Sequence, residues 1–200
     1  MIKAINNFLT KEELALAQEY WKLSVLNPKN SHMEPSLFSK GSMEVYADIL
    51  SETFLKTKKH LVEEAIGEEL YPTYTYSRLY KKGCALKKHN DRPSCEVSVT
   101  LNIFGDKDWP IWFWKLKSLN GIIDENAKPS SLITQPGDAA VYEGGMYDHW
   151  REKYTGEQCM QIFLHYVRKN GNFRRFNLDG RQQLGQYKQE AQKNIWSNKE

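Results

Sequence analysis

From Cys95 to Ile103 the chain alternates without a break. Cys95, Val97, Val99, Leu101 and Ile103 take one side, and Glu96, Ser98, Thr100 and Asn102 the other. A period of two that is rich in β-branched side chains predicts a strand with two unlike faces. Shorter runs of the same kind follow. Ile111 and Phe113 share one face of an aromatic strand and Trp112 and Trp114 the other. The turn Pro136-Gly137-Asp138 introduces a strand from Ala139 to Tyr142, and the break at Thr155-Gly156 introduces one from Cys159 to Arg168. Upstream, Tyr74, Tyr76, Leu79 and Tyr80 lead as a strand into the segment 79–103, with Gly83 marking a turn.

The first third of the chain has a different rhythm. Thr10 predicts an N-cap, Glu13 completes a capping box, and Leu9 and Leu14 stand at the staple positions. Leu14, Ala17 and Trp21 give that helix an apolar face, and Asn27-Pro28 ends it. Ser42 reads as the cap of a second helix running to Ile66, stopped by Gly67, with Val45, Ile49, Phe54, Leu55, Leu61, Val62 and Ile66 as its buried stripe. Residues 27–41 read as a polar surface connection, and 120–131 as an irregular candidate substrate loop. Beyond Val167 the chain turns polar and basic, and Leu184, Tyr187, Ala191 and Ile195 are spaced for a C-terminal helix. The pattern predicts one domain over 1–200: a helical flank (1–70), a β core (71–167) and a polar extension (168–200).

Composition narrows the function classes. A net charge of +3 with acids and bases interspersed argues against an obligate nucleic-acid or membrane surface, and no apolar run reaches the ~20 residues of a membrane helix. Met1 to Leu9 is too short and too polar for a signal peptide. Three cysteines without CxxC spacing argue against a disulfide framework or structural zinc, so a reducing cytoplasm is the expected setting.

The chemistry concentrates at His89-Asn90-Asp91. On an extended backbone His89 and Asp91 share a face, and an imidazole beside a carboxylate suits a first-row divalent metal. His149, after the Gly144-Gly145 break, offers a third ligand. Two His and one carboxylate leave metal positions open, as in non-haem Fe(II) oxygenases. His60, among lysines, reads as solvated, His32 as structural or exposed, and His165 as a satisfied core histidine rather than a further ligand.

HxD, then Pro-Gly-Asp with a short strand, then a distal His entering a last strand, resembles the Fe(II)/2-oxoglutarate-dependent dioxygenase superfamily. The lead-in Leu79-x-x-x-Gly83-x-x-Leu86-x-x-His89-x-Asp91 looks most like its prolyl-hydroxylase-type branch. The likeness spans Tyr76 to Val167. It implies a mainly β fold, a double-stranded β-helix (jelly roll) core packed on N-terminal helices. It also implies Fe(II) at His89, Asp91 and His149, with 2-oxoglutarate and dioxygen as co-substrates. The likeness further implies a small-molecule or peptidyl substrate, a prolyl or other amino-acid side chain among them. With Asp91 in place, hydroxylation is favoured over halogenation. By the same likeness Tyr80 faces the co-substrate.

One position departs from the pattern. Where relatives carry a basic anchor for the far carboxylate, this chain has Gln158, Cys159 and Met160. Arg151 shares a strand face with His149 and is the favoured substitute. Arg92, Lys115, and Gln158 acting with Tyr80 are the others, and Trp112 and Trp114 are candidates to line the substrate pocket. The departure keeps open a second reading, a cupin-like metal-binding barrel or a degenerate oxygenase serving as a binding module. Nucleic-acid demethylation, suggested by the basic tail (Arg168, Lys169, Arg174, Arg175, Arg181), carries less weight.

Overall fold

The computed structural model describes residues 1–119 and 121–186. Among the described residues, eleven strands form two antiparallel sheets. They are β1 (Ile2–Ile5), β2 (Glu34–Pro35), β3 (Met43–Tyr46), β4 (Leu70–Lys81), β5 (Leu86–His89), β6 (Val97–Gly105), β7 (Ile111–Lys115), β8 (Ser130–Leu132), β9 (Ala139–Tyr142), β10 (Tyr147–Arg151) and β11 (Gln158–Arg168). The larger sheet runs β1-β9-β6-β11-β4-β3-β2 and the smaller β5-β10-β7-β8. This is the expected jelly roll with flanking helices, α1 (Lys11–Leu26), α2 (Ile49–Thr57) and α3 (Lys59–Ile66). Among the described residues no helix is long and apolar enough to cross a membrane.

The two faces of β6 have opposite destinations. Val97, Val99, Leu101 and Ile103 join Ile162, Leu164 and Tyr166 of β11 in one cluster with Trp21 of α1, Leu55 of α2 and Val62 of α3. Each fully buried aliphatic side chain there contributes about 1.5–3 kcal/mol, so this sheet–helix layer holds the fold. Ser98, Thr100, Gln161 and His165 point the other way and are also buried. They line the space between the sheets, joined from the smaller sheet by His149. The period-two signal is therefore two-sided, with the apolar side meeting helices and the polar side lining the barrel.

At the N-terminus the capping box of α1 forms as expected: Thr10 Oγ1 accepts from Glu13 N at 3.2 Å, and Glu13 Oε2 accepts from Thr10 N at 2.8 Å. The long helix expected over 42–66 does not form. Met43–Tyr46 is instead β3, pairing Glu44 with Arg78, Val45 with Ser77 and Tyr46 with Tyr76. Ala47 turns the chain at φ 55°, and Asp48, not Ser42, caps the helix that follows by accepting from Ser51 N at 3.1 Å. Lys58 then separates α2 from α3, and Ile49, assigned to the buried stripe, is 61% exposed. The segment 27–41 also differs from a plain connection, since β2 extends the larger sheet and Ser39 Oγ donates to Ala85 O at 2.8 Å. Within 120–131, β8 begins at Ser130 as an edge strand. Leu184 packs on the core, while Tyr187, Ala191 and Ile195 lie outside the described residues.

Candidate metal and carboxylate site

β5 ends at His89, and β10 lies directly alongside, with His149 opposite His89. The two imidazoles are 4.3 Å apart between ring centroids. Asp91 Oδ1 stands 3.7 Å from His89 Nε2 and 3.6 Å from His149 Nε2. One ligand atom from each of the three residues lies within 4.8 Å of the others.

The tautomers suit a cation. His89 Nδ1 faces Lys87 O at 2.7 Å and His149 Nδ1 faces Tyr147 O at 3.1 Å. A carbonyl only accepts, so each Nδ1 carries a proton and each Nε2 is the ring nitrogen left facing Asp91. Burial pushes the His149 imidazole down to about 4, keeping it neutral near pH 7. Burial alone would raise the Asp91 carboxyl. The neighbouring His149, His165 and His89 and the Ser98 hydrogen bond outweigh it and hold Asp91 below its ordinary value. Two imidazoles whose Nε2 atoms converge on a carboxylate fit a divalent metal.

Asp91 is held from behind. Ser98 Oγ donates to Asp91 Oδ2 at 2.6 Å, so its lone pair accepts from His165 Nδ1 at 3.1 Å. This makes His165 a core histidine with a task rather than part of the triad, although it also clusters with Asp91 and Cys95. Asp91 N donates to Gly144 O at 3.0 Å, and a Cβ at Gly144 would lie only 2.3 Å from Asp91 Oδ2. Ser98, His165 and Gly144 were not legible as site residues. The Gly144-Gly145 pair signals a break, and nothing local announces what packs against it.

Arg151 lies two residues beyond His149 and is buried at 2% exposure. Its Nη1 donates to Trp109 O, and its Nη2 reaches Thr100 Oγ1 and Gln161 Oε1, both at 3.4 Å. Its guanidinium lies over the Trp109 ring at 4.9 Å. Nε has no partner, and among the described residues no carboxylate pairs with this cation. Burial pushes its pKa down from the ordinary value. Trp109, Thr100 and Gln161 come to Arg151 from separate strands and loops, which spacing along the chain does not reveal.

The other expected co-substrate residues divide. Tyr80 is fully buried, edge-on to Trp109 at 4.7 Å, and its hydroxyl accepts from Arg78 Nη1 at 3.1 Å. Arg92 is matched already, since its Nη1 and Nη2 donate to Asp179 at 3.0 Å each. Lys115 is exposed at the end of β7, and Gln158 is exposed at the start of β11, three residues short of the inward Gln161. Trp112 and Trp114 do not face the interior. The register sets Phe113 opposite His149 on the inner face, and sets Trp112 opposite Trp150 and Trp114 opposite Asp148 on the outer. There Trp112 stacks on Trp150 at 6.1 Å and Lys88 Nζ lies 4.4 Å from the Trp114 ring.

No protein-family model matches the chain, and no curated protein matches it in sequence. Solved structures match it in shape. A prolyl-4-hydroxylase from Pseudomonas putida aligns with a TM-score of 0.62 and 12% identity, over 84% of this chain and 92% of that one. EctD from S. alaskensis, solved with 2-oxoglutarate and 5-hydroxyectoine, aligns with a TM-score of 0.62 and 11% identity over 84% and 72%. A 2OG-Fe(II) oxygenase family oxidoreductase from Burkholderia pseudomallei aligns with a TM-score of 0.63 and 14% identity over 85% and 86%. What the chain shares with them is the fold.

Proposed function

We propose that this chain is an Fe(II)- and 2-oxoglutarate-dependent oxygenase in which His89, Asp91 and His149 hold the metal and Arg151 receives the far carboxylate of the co-substrate. The observation that carries the reading is Arg151 itself. A buried guanidinium with no opposite charge beside it is costly, by several kcal/mol for an isolated ion. A dianion would supply that charge and match the fork of donors.

Iron and 2-oxoglutarate, when bound, would supply the activation of dioxygen. The residues of the chain do the rest. The backbone carbonyls of Lys87 and Tyr147 fix the imidazoles, and Ser98 holds one Asp91 oxygen so that the other faces the metal. Thr100 and Gln161 flank Arg151. Tyr80, Trp109, Tyr154, Cys159 and Phe163 pack into one buried cluster beside it and exclude water from that end. His89 is 42% exposed, so the open side of the site lies there. The reaction we infer is hydroxylation of a small-molecule or peptidyl substrate, an amino-acid side chain such as prolyl among them. The shape shared with a prolyl-4-hydroxylase and with EctD supports that class.

The test is an anaerobic titration of 2-oxoglutarate into Fe(II)-loaded protein, followed by its visible metal-to-ligand charge-transfer band. A saturable band that disappears in Asp91→Ala is expected. Iron uptake without a band would overturn the co-substrate assignment and favour a metal-binding barrel instead.

A further inference from the structure

Arg92 directly follows the carboxylate of the metal site, and its partner comes from the far end of the described chain. Both Nη atoms donate to the Asp179 carboxylate, and Tyr46 OH donates to Asp179 Oδ2 at 2.7 Å. The Arg92 guanidinium lies 4.5 Å from the centre of the Tyr74 ring, and Tyr74 OH meets Cys95 Sγ at 3.0 Å. Asp179 is thus the hub of a buried cluster that begins one residue from the ligand.

The turn that delivers Asp179 has a strained backbone. Leu178 (φ 57°, ψ 13°) and Asp179 (φ 52°, ψ 37°) are both left-handed, and Gly180 follows at φ 71°. Two successive non-glycine residues in that region persist only where the surroundings fix them. Arg181 does this from one side: its buried Nη2 donates to Glu52 Oε1 of α2 at 2.6 Å and to Thr73 O of β4 at 2.8 Å. Gly185 N also donates to Glu52. The turn is fastened to the helix–sheet scaffold by Arg181 and grips the metal segment through Asp179.

We propose that Asp179 is a positioning residue for Asp91. Its two-point hold on Arg92 sets the main chain at the Asp91–Arg92 link, and so the direction in which Asp91 Oδ1 faces His89 and His149. Ser98 restrains the same carboxylate through its side chain, whereas Asp179 restrains it through the backbone. The inference rests on reading His89, Asp91 and His149 as a metal site. It adds that the metal site is completed by the segment after the last strand.

Mn(II) binding, read from loss of the free-ion paramagnetic resonance signal, tests this in the full chain without turnover. The proteins compared are wild type, Asp91→Ala, Asp179→Asn and Tyr46→Phe, each at a temperature where circular dichroism shows it folded. Partners that orient a ligand typically cost about 10–100-fold in metal affinity when removed, so Asp179→Asn should bind Mn(II) at least about tenfold more weakly. Tyr46→Phe, which removes one donor to Asp179, should lose less in the same direction. Wild-type affinity in a folded but less heat-stable Asp179→Asn would overturn the proposal and leave the cluster a packing feature. Should Asp179→Asn fail to fold, Tyr46→Phe decides, and wild-type affinity there overturns it. A wild-type protein that takes up Mn(II) no better than Asp91→Ala would instead remove the metal reading, and this inference with it.

Discussion

Replacing Arg151 with methionine should have opposite effects on stability and on co-substrate binding. The side chain is buried, its Nε has no partner, and its neighbours Thr100 and Gln161 are neutral and at 3.4 Å. Exchanging buried ionic groups for apolar ones of similar volume is commonly neutral or stabilising by ~1–4 kcal/mol. Against that stands the Trp109 carbonyl, which loses its Arg151 donor at about 1–3 kcal/mol. The mid-points of the two ranges nearly cancel, so the net expectation is a change between zero and ~1 kcal/mol in favour of the variant. For a protein of this size each kcal/mol moves the melting temperature by roughly 2–4 °C, so the melting temperature should hold or rise by a few degrees. Binding goes the other way. Two hydrogen bonds to a carboxylate at ~1.5–3 kcal/mol each amount to about two to four decades of affinity. Thermal unfolding of the co-substrate-free protein and the anaerobic charge-transfer titration read the two effects separately. A melting temperature lowered by about 5 °C or more, together with an unchanged titration, would refute the reasoning and make Arg151 a structural cation.

Two further outcomes follow from the geometry. Gly144→Ala would place a methyl group 2.3 Å from Asp91 Oδ2, so its Mn(II) affinity should fall while the helix–sheet core is untouched; equal affinity in a direct titration would show that the loop yields freely. Asp106 accepts from Glu157 N and Gln158 N and from Tyr154 OH, and the Glu157 amide leads in holding its carboxyl down to about 2. A depressed folded-state value stabilises fully above the ordinary ~3.9 and fades as pH falls through about 2, so the melting-temperature gap between wild type and Asp106→Asn should close over that interval. A gap that stays constant there would refute it.

The meeting of His89, Asp91 and His149 was legible because metal chemistry calls for particular residue types in an extended segment, and His89-x-Asp91 before a nine-residue alternation answers to it. The placing of Arg151 on the His149 side of the strand was legible for the same reason. What lay hidden is set by pairing across the sheets. Met43–Tyr46 satisfied a helical period, yet Glu44 Oε2 accepts from Arg78 Nε at 2.9 Å, and a buried ion pair between β3 and β4 leaves no mark on local spacing. Trp112 and Trp114 were separable from Ile111 and Phe113 by alternation, but which pair faces inward depends on the register that puts Phe113 beside His149. The contacts of Asp179 were hidden because a left-handed turn, inside a segment that reads as polar extension, brings it to Arg92 and Tyr46.

The division of β6 and β11 into an outward apolar face and an inward polar one separates two kinds of mutational risk. Val99, Leu101, Ile162 and Leu164 answer to the helices, while Ser98, Thr100, Gln161 and His165 answer to whatever occupies the barrel. A substitution at the second set changes the chemistry of the chamber without opening a cavity in the layer that keeps the chain folded. Neighbouring positions along one strand therefore differ in what a substitution there disturbs. Exchanging one of these polar side chains alters what the chamber offers an occupant, while the sheet–helix layer behind it keeps its packing.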